Sequence, residues 1–143
     1  MILTLIRHGQ TEGSINDLYY GAADIPVLPG LREMDFGDFE MRSYEQMKDD
    51  PAFQHWMTDS EHLPCPNGAS APQTTARNLK AMETVLAEDS DAVCVIHGGV
   101  IAGFMMTWFG GLRVDWYRKA GTGYQVTFEN GAPVSWARVP EDI

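Results

Sequence analysis

Two apolar runs in this chain stop in the same way. The first is MILTLIRHG at the start, and the second is DAVCVIHGG at residues 91–99. Both are short and rich in branched aliphatic residues, the pattern of strands buried on both faces. Each ends in a histidine followed by glycine, His8-Gly9 and His97-Gly98, and the first also carries Arg7. In open α/β sheets, ligands sit beyond the carboxyl ends of parallel strands. Two such strands side by side would bring both imidazoles and the guanidinium into one crevice. The glycines let the backbone turn sharply there. The apolar helix expected after Gly98-Gly99 would add free N–H groups for an anion. A single histidine after a strand is usually structural; two in one small domain, one beside an arginine, turn the reading towards function.

The totals narrow the class. A chain of 143 residues that is 44% hydrophobic suits a single domain, 1–143, with its own core. Its net charge of −10 argues against nucleic acid and anionic membranes as partners, while leaving room for a small anionic substrate in a local basic pocket. Cys65 and Cys94 suit neither a zinc cluster nor a disulfide framework, which favours a reducing compartment. The N-terminal apolar run is too short for a signal peptide, and no run approaches a membrane span. The expectation is a soluble cytoplasmic protein.

Along the chain, strands are expected at residues 2–6 and 93–96. A helical stretch over 43–59 is interrupted at Pro51. A second helix starts from Ser70 as N-cap with Pro72 in its first turn, and buries Ala76, Leu79, Met82, Val85 and Leu86. A third spans 99–111 and stops at Gly110-Gly111. Residues 123–139 read as a hairpin around Asn130-Gly131. Residues 9–30 read as loop, and 31–41 as mixed with a short strand. This order points to a three-layer α/β/α sandwich.

LIRHGQTE, then Gly21, Asp24 and Pro26, then LREMDFGDFE, PNGAS and VIHGGVI follow one another in a familiar order. Together they resemble the histidine phosphatase superfamily, the phosphoglycerate mutase-like proteins. The resemblance implies a metal-independent phosphatase, without cofactor, acting on a small phosphomonoester. His8 would be the nucleophile that forms a phosphohistidine. Arg7, His97 and the Gly98 amide would hold the phosphoryl oxygens. Glu33 would be the proton donor, with Asp35 and Asp38 as weaker rivals. Thr11 would donate a hydroxyl hydrogen bond to phosphate, and Ser14 would do the same where the family usually has Asn; Asn16 is a neighbouring substitute. His55 and His62 match no motif and read as surface residues. Tyr19, Tyr20, Phe36, Trp56 and Trp108 read first as core or rim, and second as pocket walls.

The chain also departs from the family pattern. Leu31 follows Pro26 almost at once, so the block that normally supplies a core strand, flanking helices and a second phosphate-binding arginine is missing. Arg32, Arg42 and Arg77 are the candidates to replace that arginine. Ala69 stands in PNGAS where the family often has Glu. The missing strand would leave residues 93–96 at an open sheet edge, which natural proteins cover, so a homodimer is expected. Brevity favours a phosphatase over a mutase. A catalytically weak or inactive relative, serving as a phospholigand-binding or interaction module, stays open as the alternative.

Overall fold

The structure, a computed structural model, describes residues 1–9 and 27–141. The expected sites Thr11 and Ser14, with Asn16, Tyr19, Tyr20, Gly21, Asp24 and Pro26, lie outside the described residues.

Strand β1 (Ile2–Arg7) lies in the middle of a four-stranded mixed sheet of order β2-β1-β3-β4. Strand β2 (Ala92–Ile96) runs parallel to it and pairs Arg7 with Ile96, so both carboxyl ends reach the same edge. Strands β3 (Gly123–Glu129) and β4 (Ala132–Val139) form the antiparallel hairpin. Asn130 and Gly131 both have positive φ (52° and 78°), as a two-residue hairpin turn of this hand demands.

One face of the sheet is buried. Leu3 and Leu5 of β1 share it with Tyr124, Val126 and Phe128 of β3. Helix α4 (Gly98–Phe109) packs on this face through Val100, Ile101, Phe104 and Met105. Its apolar character, with Thr107 the one hydroxyl-bearing residue, follows from that place between sheet and helix. Helix α3 (Ala71–Ala87) lies against α4 and contributes Met82. Ser70 caps α3 in a reciprocal box with Gln73. The buried stripe of α3 is Ala71, Thr74, Asn78 and Met82, with Leu79, Val85 and Leu86 half-buried beside the core. Ala76, expected inside, is exposed because the stripe passes two residues to either side of it, at Thr74 and Asn78.

On the other face, Ile2, Val93 and Val95 are exposed, and no helix covers them among the described residues. The α/β, phosphoglycerate mutase-like fold is present. The described helices supply the layer on the buried face, and β2 lies at the sheet edge among the described residues.

Residues 34–66 build a small second core. Helices α1 (Tyr44–Met47) and α2 (Pro51–Met57) are separated before Pro51, with Asp50 as cap. Phe39, Met47, Phe53 and Cys65 are buried together, with Met34, Phe36 and Trp56 packed on them. The short strand expected in 31–41 does not form; the segment makes 3-10 turns at Pro29–Leu31 and Gly37–Phe39. Side chains take the backbone donors a strand would need, since Asp35 accepts from Gly37 N–H (2.9 Å) and Glu40 from Phe36 N–H (2.8 Å). Among the described residues, no helix is long and apolar enough to cross a membrane.

Candidate active site

The two histidines meet. The His8 and His97 rings lie edge to face with centroids 4.7 Å apart. The parallel pairing produces this, because His8 N–H continues the ladder onto the Ile96 carbonyl (2.9 Å) one residue before His97. His8 Nδ1 lies 3.0 Å from the Gly9 carbonyl oxygen. A carbonyl only accepts, so Nδ1 carries the proton and Nε2 keeps its lone pair. Burial lowers the His97 pKa, His8 adds to this and Glu33 opposes it, so His97 is a neutral ring near pH 7.

Arg7 is held from the side. Its Nη1 donates to the Arg118 carbonyl (2.7 Å), while its backbone joins Thr122 and Gly121. A Cβ at residue 98 would come within 3.1 Å of Arg7 Nε, so Gly98 leaves room for the guanidinium against the start of α4. Gly98 is the first residue of that helix, whose early N–H groups have no partner within the helix itself.

Glu33 reaches the same helix start. Its Oε2 accepts from Gly99 N–H (3.1 Å) and its Oε1 from Met34 N–H (2.9 Å). Of the seven residues expected to act in catalysis or phosphate binding, Arg7, His8, Glu33, His97 and Gly98 come together, and Thr11 and Ser14 lie outside the described residues. The rivals Asp35 and Asp38 are exposed and engaged elsewhere, Asp38 with the Asn67 amide (3.1 Å). His55 and His62 are exposed, the latter beside Asp59.

None of the three candidate replacement arginines enters the crevice as a free cation. Arg42 pairs with Asp50 at 3.5 Å. Arg32 is exposed, and its carbonyl is a hydrogen-bond acceptor for α3. Arg77 Nη2 donates to the carbonyls of Arg32 and Glu33 (3.0 Å each), so it holds the acid-bearing segment by its backbone. Asn78 does the same at Gly30 (2.8 Å) and Arg32 (3.2 Å).

Arg113 carries no motif that would single it out. Together with Arg7, Glu33, Gly98 and Gly99, it lines a cleft of about 420 Å³. Its Nε meets the Glu61 carboxylate (3.0 and 3.1 Å), Nη1 the Gly99 carbonyl (3.3 Å) and Nη2 the Thr75 hydroxyl (3.1 Å). Arg113 opens a short turn after Gly110-Gly111 and belongs to no recognisable pattern. Phe36, Trp56 and Tyr117 also face this cleft, whereas Trp108 stacks on Phe104 in the core, ring centroids 5.2 Å apart. Burial pushes the Cys94 thiol up, and burial with Asp35 and Glu40 does so for Cys65, so neither is primed as a nucleophile.

An α/β domain with an arginine and two histidines at the carboxyl ends of a parallel strand pair, facing a carboxylate on a helix N-terminus, defines a narrow class of protein. The chain belongs to the histidine phosphatase superfamily (branch 1), whose family model matches residues 25–127, more than half of the chain. The match takes in Glu33 and His97 and begins after β1, so the Arg7-His8 block stands on its own pattern. The fold is similar to that of the alpha-ribazole phosphatase from Shigella flexneri, with a TM-score of 0.74 at 18% identity and 94% of each chain covered. It is similar also to a phosphoglycerate mutase from Thermus thermophilus, with a TM-score of 0.61 at 19% identity, covering 95% of this chain and 98% of that one. No curated protein matches the chain. Membership of the superfamily supports phosphatase or mutase activity in general.

Proposed function

We propose that this protein is a metal-independent phosphatase that hydrolyses a small phosphomonoester through a phosphohistidine on His8. The observation that carries the reading is the His8 ring, tied through Nδ1 to the Gly9 carbonyl and set 4.7 Å from His97. The Nε2 lone pair of His8 attacks phosphorus, and the bond from phosphorus to the leaving oxygen breaks. Protonated Glu33 gives its proton to that oxygen. The Gly9 carbonyl stabilises the phosphoimidazolium through Nδ1–H. Arg7, neutral His97 and the Gly98 amide hold the phosphoryl oxygens while the charge moves. Glu33, now a carboxylate, takes a proton from water. The water oxygen attacks phosphorus, the P–N bond breaks, and inorganic phosphate leaves. Brevity favours hydrolysis over transfer to a second substrate.

The test is steady-state hydrolysis of p-nitrophenyl phosphate with EDTA present, comparing the wild type with His8→Ala. Turnover that disappears in the variant is expected. A wild type no faster than the variant from pH 5 to 8 would sink the phosphatase reading. A second reading has its own support: Arg42 and Arg77 are committed elsewhere, and Arg32 is exposed and does not line the cleft. Losing one fixed charge on a transferring phosphoryl group costs roughly a hundredfold in rate. On this reading the protein binds a phosphorylated ligand with little or no turnover.

We further propose that the working form is a homodimer, with a second copy covering the β2 edge and the exposed Val93 and Val95.

A further inference from the structure

The cleft lined by Arg7, Glu33 and Gly98 is also lined by Met34, Phe36, Trp56, Val114 and Tyr117. We infer that the part lined by these last five residues is a leaving-group subsite for a planar, largely apolar group, and that it discriminates against polyhydroxylated sugars. The inference rests on the phosphatase reading above and names the substrate class of the same site.

The polar groups of the subsite carry the argument, because most of them are already used. The Trp56 indole N–H donates to the Leu63 carbonyl (3.0 Å), which leaves the ring without its donor. The Thr74 hydroxyl donates to the Ser70 carbonyl (3.0 Å). Three nitrogens of Arg113 are taken by Glu61, Gly99 and Thr75. A sugar carries several hydroxyls, and each one moved from water into this cleft would need a new partner. Among the described residues, the side-chain groups left for them are the Ser60 and Tyr117 hydroxyls, the spare lone pairs of Glu61 and one N–H on each Arg113 Nη. A flat ring, by contrast, needs apolar contact, which the cleft offers.

Part of the lining is also apolar surface left open to solvent. Val114 is 67% exposed and Tyr117 50% exposed, although both are bulky and both border the cleft. Phe36 and Trp56, which line the same cleft, are backed by the second core, which fixes their rings. Rigid aromatic side chains beside polar groups that are mostly engaged are the arrangement that binds rings edge to face or offset.

The test compares benzyl phosphate with glucose 6-phosphate and glycerol 3-phosphate. All three leave as alkyl alcohols, so their intrinsic reactivity is matched and the difference reports the subsite. The wild type should favour benzyl phosphate in kcat/KM by at least about tenfold, the scale of a modest apolar contact. Val114→Ser and Tyr117→Ala lie outside both cores and should bring that ratio towards one; Trp56→Ala should do so more strongly where it folds. Equal or better use of the sugar phosphates, or an unchanged ratio in both rim variants, overturns the inference. If the wild type hydrolyses none of the three, the p-nitrophenyl phosphate assay judges the phosphatase reading separately, and calorimetry decides the subsite. Tighter binding of benzyl phosphate than of glucose 6-phosphate, weakened by Val114→Ser, would then support it, and any other ranking would overturn it.

Discussion

Gly99 carries no side chain, and the Glu33 carboxylate occupies the space where one would stand. A Cβ there would lie 2.7 Å from Oε1 and 2.9 Å from Oε2. Four residues on, Gly103 leaves equivalent room for Thr75 and Arg113. The two glycines therefore form a shallow groove along α4 in which acid and cation lie in line. Gly99→Ala separates site geometry from stability. The methyl pushes away only the flexible end of Glu33, while alanine in place of glycine favours the helix. The melting temperature should hold or rise, whereas kcat/KM on p-nitrophenyl phosphate should fall by about a hundredfold, the scale of a misplaced reacting group. Full activity in this variant would remove Glu33 from the proton-donor role.

Helix α3 links the core to the acid-bearing segment. Its inner face presents Asn78, only 1% exposed, and its flank presents Arg77, and both donate to carbonyls of residues 29–33. The segment makes no sheet of its own, so these bonds stand in for a ladder. Asn78→Ala would leave the Gly30 carbonyl without its side-chain donor in a buried place. A loss of about 1–3 kcal/mol in urea unfolding is expected, together with lower kcat as Glu33 loosens. An unchanged unfolding midpoint would show that the segment is held by other means.

For the whole molecule, the open edge of β2 is the main liability. Val93 is 69% exposed and Val95 47%, on a strand hydrogen-bonded to β1 on one side only among the described residues. Exposed apolar edges pair with other chains unless blocked. Two copies related by a two-fold axis could pair β2 with β2 and extend the sheet through both. Light scattering at about 10 μM should report a dimer, the concentration range in which a standard-sized interface is occupied. Val95→Lys should shift it to monomer without loss of secondary structure. A wild-type monomer with the same circular dichroism would exclude the proposal.

What could be read from the order of residues was local. The strand ends at His8 and His97, the Ser70 cap, the break at Pro51 and the turn at Asn130-Gly131 depend on chemistry within a few positions, and each is in place. The two-histidine crevice was legible because both strands announce themselves and parallel pairing aligns their ends. Other features depended on partners far along the chain. Arg113 meets Glu61, 52 residues away, through a pairing that no spacing encodes. Arg77 looked available for phosphate until the fold turned it onto the carbonyls of residues 32 and 33, more than forty positions back. Residues 31–41 read as mixed with a short strand, yet Asp35 and Glu40 claimed its backbone donors. The sequence by itself determined which groups end the strands, because short-range sterics and hydrogen bonds decide that. Tertiary structure alone decided which cations stay free and which walls surround the cleft, because packing assigns each polar group its partner only when distant segments meet.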